Sequence, residues 1–286
     1  MGVCEVCFRH CHLTDRQIGN CGARTYRDGM IRPVFYGRIT SLALDPIEKK
    51  PLYQFHPGSR ILSVGSLGCN LHCPFCQNHE IAQAEQGNSF SAAVKDISPE
   101  EIAAMALVYR RKGNIGVAFT YNEPLVGYEF VRDTARLVHE QGMLNVLVTN
   151  GTATHEVLDE ISPYIDAMNI DLKGFTDRYY TEVLKGSREM TMDFIREAVR
   201  RCHVELTTLV IPGENDTEGE IRELSGWIAG LEDVHGGKPG REIPLHITRF
   251  FPRWRMTDRG PTDIQKIRRL VKTAEEKLAY VYPGNC

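Results

Sequence analysis

Cys69, Cys73 and Cys76 are separated by three and then two residues in Gly68-Cys69-Asn70-Leu71-His72-Cys73-Pro74-Phe75-Cys76-Gln77-Asn78, directly after a short apolar run. Three thiolates on one tight loop suffice for three irons of a cubane iron-sulfur cluster, whereas fully ligated electron-transfer clusters use four cysteines. The fourth iron is then open to a small chelating ligand. A second chemistry fits the same residues, because His72 or His79 would complete a tetrahedral zinc site.

Four further cysteines, Cys4, Cys7, Cys11 and Cys21, lie ahead of Gly22-Ala23-Arg24 in a segment with almost no apolar periodicity. Such a knuckle cannot support its own core, so a metal must hold it together. Four thiolates suit structural zinc or an auxiliary iron-sulfur cluster. His10 and His12 flank the third cysteine and are able to replace a ligand. The nine cysteines are odd in number and mostly clustered, which favours metal binding in a reducing, cytoplasmic compartment over a disulfide framework. Cys202 reads as a small hydrophobe near a strand start, and Cys286 has no assigned role.

The elements that must position these groups follow from periodicity. The 286 residues, 42% hydrophobic and 25% charged, are ample for one large domain with an appendage. A net charge of -3 points to neither nucleic acid nor an anionic membrane, and no apolar run is long enough to span a bilayer. Short β segments are expected at Val34–Tyr36, Ile39–Leu44 and Pro51–Phe55. Beyond a turn at Pro57-Gly58-Ser59, strands are expected at 60–66, 115–120, 145–150, 168–171, 204–211 and 245–250. The helices between them include 125–141, two short ones after the fourth strand, and 261–277. Ser98-Pro99-Glu100-Glu101 is a capping box with proline at the first helical position. Six strand–helix units predict an α/β fold, a partial (β/α)6 barrel over residues 59–286 with a small N-terminal metal-binding cysteine knuckle and β extension over 1–58. Active sites of parallel barrels lie at the C-terminal strand ends. Here those ends carry the Cys69 loop, Thr120-Tyr121-Asn122-Glu123-Pro124, Thr149-Asn150-Gly151, Asp171-Leu172-Lys173, Pro212-Gly213-Glu214-Asn215-Asp216 and His246–Arg249.

The cysteine spacing, with Phe75 before the third cysteine, resembles the radical SAM superfamily. The resemblance implies a three-cysteine 4Fe-4S cluster whose open iron chelates S-adenosylmethionine (SAM), and reductive cleavage to a 5'-deoxyadenosyl radical that abstracts hydrogen from a substrate. Thr120–Pro124 sits where that superfamily has a Gly-Gly-Glu type motif, which implies that Asn122 and Glu123 accept hydrogen bonds from the SAM ammonium. Asp171-Leu172-Lys173 resembles a segment of the pyruvate formate-lyase activating enzymes, giving Lys173 the SAM carboxylate or ribose and Asp171 the positioning of that lysine. By the same resemblance Asn150 reaches the ribose, His246 of Pro244-Leu245-His246 contacts SAM, and Phe75 lies against the adenine. Gln77 offers backbone contacts, and Val210 of Leu209–Gly213 belongs to the adenine wall. Val148 replaces an activase aspartate, so no cation site is carried over.

Nearly the whole chain resembles a narrower family, the AmmeMemoRadiSam system radical SAM enzymes. This rests on the knuckle, Ser41–Tyr53, Cys76-Gln77-Asn78, Thr120–Pro124, Asn169–Phe175, Arg249-Phe250-Phe251-Pro252 and Tyr280–Asn285. It implies a Memo-like or AMMECR1-like partner, and the activase likeness implies a glycyl radical enzyme instead. Either way a reductant such as flavodoxin or ferredoxin is required. Arg249, Arg253 and Arg255, interleaved with aromatics, suit either a substrate mouth for an anionic group or a surface loop. Outside these resemblances the cysteines also fit a non-redox zinc-binding interaction module.

Overall fold

The computed structural model describes residues 1–83 and 93–286. Its main sheet contains β1 (Ser41–Pro46), β2 (Arg60–Gly65), β3 (Asn114–Phe119), β4 (Leu144–Thr149), β5 (Ala167–Asp171), β6 (His203–Val210), β7 (Leu245–Arg249) and β8 (Val281–Gly284). Spatial order follows chain order from β1 to β8. The β2–β8 strands pair in parallel, and β1 runs antiparallel to β2. No ladder joins β1 to β8 among the described residues, so the barrel is open. The six expected strands are β2–β7; β1 and β8 extend them at either edge.

Crossovers are supplied by α1 (Pro99–Tyr109), α2 (Tyr128–Glu140), α3 (His155–Ile161), α4 (Arg188–Arg201), α5 (Glu218–Ala229) and α6 (Ile264–Glu275). The capping box closes as expected: the Ser98 side chain accepts from the Glu101 N–H, and the Glu101 carboxylate accepts from the Ser98 N–H. Four differences from the sequence expectation have local causes. The 125–141 helix begins only at Tyr128, because Pro124–Gly127 first winds as a 3-10 turn. Helix α3 was not anticipated, although Thr154 precedes it as an extended N-cap. After β5 stand a π-helical turn, Tyr179–Leu184, and the 14-residue α4, not two short helices. Finally, Val34–Tyr36 turns out of the ladder formed by Met30–Pro33, and Pro51–Phe55 is irregular because the Tyr53 and Gln54 N–H groups donate to the Glu205 carboxylate.

Side-chain alternation along the strands divides two apolar layers. Leu62, Val64, Val117, Leu147, Met168, Leu206, Val210 and Leu245 face outward into the core beneath the helices. Ile61, Ala118, Val146 and Ala167 face inward and are capped by Ile47 and Leu52, both fully buried. Burying each of those two contributes about 1.5–3 kcal/mol. The plug closes one end of the barrel and leaves the other to polar groups. The cysteine-bearing segment folds as two short ladders and docks beside the end of β4, where Cys7 bridges Ala153 and the Thr154 N–H donates to the Val6 carbonyl. A buried ion pair at 2.6 Å, Arg24 to Glu129, ties it to α2. Among the described residues, no helix is long and apolar enough to cross a membrane.

Candidate active site

The C-terminal strand ends open on a cleft of about 720 Å³ whose wall includes Cys69, Cys73 and Cys76. The loop that carries them is pinned from several sides. Gly68 takes φ +95°, where an added Cβ would stand 2.8 Å from both the Cys21 carbonyl and the Ala23 side chain. The Cys69 N–H donates to the Cys21 carbonyl at 3.3 Å and the His72 N–H to the Leu184 carbonyl at 2.8 Å.

All three thiols are free of disulfides, and burial pushes the Cys73 thiol up to about 12. Cys73 is buried and Cys69 and Cys76 are half-buried, so holding all three as thiolates would take a cationic partner. The thiols face one cleft without converging on a point: among the described residues, no three His, Cys, Asp or Glu side chains are gathered closely enough for one metal ion. Neither histidine of the zinc alternative lies on the cleft wall. The ring nitrogens of His72 are engaged by Gln83 at 2.8 Å and Asn20 at 2.6 Å, and His79 stacks on Trp254. An all-thiolate set spread round a cleft suits a multi-iron cluster better than one zinc.

Beside the cysteines, Glu123 is buried at the end of β3. Its carboxylate accepts from the Thr149 hydroxyl at 2.7 Å, the Asn150 N–H at 2.7 Å and the Leu125 N–H at 3.1 Å. Burial raises it to about 7 against those hydrogen bonds. Asn122 bridges outward from the same turn: its Oδ1 accepts from the Ser66 N–H and its Nδ2 donates to the Gly68 carbonyl. Lys173 and Asp171 form a 2.7 Å ion pair on the cleft wall. Burial alone would lower the lysine, but Asp171 and then Cys73 outweigh it and hold the ammonium charged.

A profile of the radical SAM superfamily matches residues 63–224. The chain belongs to the radical SAM superfamily. It is 39% identical over 284 residues to the uncharacterized protein MJ0808 of Methanocaldococcus jannaschii, covering 99% of this chain and 80% of that one. It is related to the pyruvate formate-lyase activating enzymes: the pyruvate formate-lyase 1-activating enzyme of Escherichia coli is 26% identical over 184 residues, 62% of this chain and 72% of that one. In fold it matches Streptococcus suis SuiB with a TM-score of 0.57 at 12% identity, over 78% of this chain and 48% of that chain. Family membership sets aside the non-redox zinc module.

In this radical SAM barrel most of the expected residues share the cleft: Phe75, Gln77, Asn122, Glu123, Asn150, Asp171, Lys173 and His246 all line it. Val210 does not. Its side chain is buried in the outer core, one step out of phase with Leu209, which lines the cleft. Asn150, on the cleft wall, has its amide engaged by the cysteine loop. Its Nδ2 donates to Cys69 Sγ at 3.7 Å and to Asn70 Oδ1 at 2.9 Å. His246 is tied to Glu205 at 2.7 Å.

Sequence reasoning missed Glu205, Asp45, Lys50 and Tyr121. Asp45 accepts from Lys50 Nζ at 2.9 Å, the Ser63 hydroxyl at 2.9 Å and the Tyr121 hydroxyl at 2.7 Å. Only Glu205, the one carboxylate in the β6 strand, offered a signal.

The four N-terminal cysteines share the wall of a second cavity of about 10 Å³.

Proposed function

We propose that this chain is a radical SAM enzyme of the activating-enzyme type in which Cys69, Cys73 and Cys76 ligate a 4Fe-4S cluster. The observation that carries the reading is the placement of three cysteine thiols and the Lys173–Asp171 pair on the wall of one cleft that includes no histidine from the cysteine loop. When bound there, cluster and SAM supply a 5'-deoxyadenosyl radical for hydrogen abstraction.

The chain's own residues then bind and orient. Lys173 meets the SAM carboxylate or ribose, held at its station by Asp171. Glu123 clamps the ends of β3 and β4 together, so that the main chain at Asn122 and Glu123 is presented to the ammonium. Phe75, packed edge-on against Phe250 at 6.4 Å, offers its face to the adenine beside Leu209. The main chain of Gln77 and the Glu205-oriented His246 complete the wall, and the Ile47–Leu52 plug excludes water from below.

The proposal extends to the AmmeMemoRadiSam family, with residues 1–58 as a zinc-holding extension on the barrel of 59–286 and Cys4, Cys7, Cys11 and Cys21 as the zinc ligands. Four thiolates on one short segment support zinc, with an auxiliary cluster as the alternative. The names of the relatives, which activate pyruvate formate-lyase and, in Clostridioides difficile, 4-hydroxyphenylacetate decarboxylase, support a protein substrate reached through the cleft mouth. In the narrower family that protein would be Memo-like or AMMECR1-like, with flavodoxin or ferredoxin as reductant. The test is anaerobic reconstitution followed by dithionite. Conversion of SAM to 5'-deoxyadenosine and methionine supports the reading; a colourless protein that leaves SAM intact refutes it. Deuterium transfer from candidate partners into 5'-deoxyadenosine then identifies the substrate.

A further inference from the structure

We propose that Asn70 and Asn150 link the N-terminal four-cysteine segment to the cluster ligand Cys69, so that the segment sets the reduction potential of the cluster. This rests on the reading that Cys69, Cys73 and Cys76 hold a 4Fe-4S cluster.

Both asparagines are buried, and a donor-only group, the Thr152 N–H, fixes the orientation of Asn150 and through it that of Asn70. Asn150 Oδ1 accepts from the Thr152 N–H at 3.0 Å and from the Thr152 hydroxyl at 2.5 Å. A backbone N–H cannot accept, so the NH2 end of Asn150 must point the other way. There its two hydrogens go to Asn70 Oδ1 at 2.9 Å and Cys69 Sγ at 3.7 Å. Asn70 is held in the same way: its carbonyl end takes the Asn150 amide, and its NH2 end gives a hydrogen to Thr152 Oγ1 at 2.8 Å.

A hydrogen-bonded path therefore runs from Asn70 through the Asn150 amide to Cys69. The N-terminal segment holds Asn70 and its neighbours in the cluster loop at three points. Arg9 Nε donates to the Asn70 carbonyl at 2.8 Å, the Cys21 carbonyl accepts from the Cys69 N–H at 3.3 Å, and Asn20 pairs with His72 at 2.6 Å.

The physical consequence follows from charge. A reduced cluster is one electron more negative than the oxidised one, so an N–H donor aimed at a ligand sulfur favours reduction. Burial strengthens that effect, because water cannot replace the lost donor. A segment fixed by its own metal keeps Asn70 in place, Asn70 keeps the Asn150 amide on Cys69, and the potential stays high enough for the reductant. Asn150 is in this sense a positioning residue.

The experiment is an EPR-monitored redox titration of the full chain after anaerobic reconstitution, with iron, sulfide and zinc measured on each sample. In Asn150→Ala, the reduced-to-oxidised ratio at the wild-type midpoint should fall about tenfold, a shift of about 59 mV to lower potential. Cys7→Ser should move the midpoint the same way by a smaller amount while four irons remain, and Cys202→Ser should not move it. If Asn150→Ala fails to retain its iron, Asn70→Ser carries the same prediction while leaving the side chain that donates to Cys69 Sγ in place. Unmoved midpoints at full iron content overturn the proposal, and so does a shift confined to Asn150→Ala, which would disconnect the N-terminal segment. A wild-type protein that takes up no four-iron cluster defeats the functional reading itself. One that cleaves SAM normally while its variants keep the wild-type potential defeats only this inference.

Discussion

The buried carboxylate of Glu205 permits the most quantitative test. It is wholly inaccessible, and each oxygen takes two donors. Oε1 accepts from the Gln54 N–H at 2.7 Å and from His203 at 3.0 Å; Oε2 accepts from the Tyr53 N–H at 2.9 Å and from His246 at 2.7 Å. Burial raises the carboxyl, but the two histidines and then the two backbone donors outweigh it and bring it from 4.5 down to about 2. At about 1.4 kcal/mol per unit, that depression corresponds to about 3 kcal/mol of stability. Because the folded value lies below the unfolded one, this contribution is complete above about pH 4.5 and is lost as pH falls toward 2. Glu205→Gln keeps one acceptor oxygen and turns an NH2 toward groups that donate, so at pH 7 it should cost a similar amount. For 286 residues the unfolding entropy is roughly 0.6 kcal/mol per degree, which converts the loss to a Tm drop of about 5 °C. Circular dichroism melts of both proteins at pH 7 and pH 3 give the comparison, and the gap at pH 3 should be less than half that at pH 7. Tyr53 and His246 both line the cleft, so the KM for SAM should rise as well. A pH 7 drop below 1 °C, or a gap that pH leaves unchanged, would refute the assignment of Glu205 as the ionised centre of this network.

Other substitutions read other parts of the site. Cys73→Ala should abolish the iron-sulfur absorption and reduce SAM cleavage to background while zinc per chain stays constant, as metal analysis of anaerobic preparations would show. Lys173→Met should leave iron content intact but weaken SAM binding about tenfold, the loss of about 1.4 kcal/mol, measured by anaerobic equilibrium dialysis. At Gly65 an added Cβ would stand 2.8 Å from the Tyr121 ring, so Gly65→Ala should destabilise by about 1–3 kcal/mol in thermal melts.

The barrel was legible because its strands are largely apolar runs and several of its crossovers open on serine, threonine or aspartate caps, both local signals. Cys69, Cys73 and Cys76 were legible for the same reason: their spacing is local and their chemistry is narrow. The residues that failed are those whose role depends on distant partners. Val210 was assigned by position in a resembling segment, and a one-residue phase on β6 moved its side chain to the far side of the sheet. Asn150, by contrast, lines the cleft as expected, and only its bonds to Thr152 and Asn70 were beyond the reach of spacing. Pro51–Phe55 has the alternation of a strand, but its N–H groups are drawn off by Glu205, about 150 positions later, so no ladder forms.

Tyr121 shows how the edge of the sheet and the site depend on each other. It stands at φ +77°, a left-handed conformation that a bulky aromatic adopts only where its surroundings impose it. The restraint comes from β1 and the turn after it: Asp45 accepts the Tyr121 hydroxyl, and the Lys50 ammonium lies 4.7 Å from the ring centroid. Burial works against the Asp45 charge, but hydrogen bonds from Lys50, Tyr121 and Ser63 hold its carboxyl well below the ordinary carboxylate range. The strained turn in turn aims the Tyr121 carbonyl at Asn78, two residues past Cys76, where Asn78 Nδ2 donates at 2.8 Å. The antiparallel β1 strand thus braces the turn that leads into Glu123 and, through Asn78, the far side of the cysteine loop. A seven-stranded parallel sheet without β1 would leave Tyr121 free to relax to negative φ, and the Asn122–Glu123 main chain would lose the orientation on which SAM binding is proposed to depend.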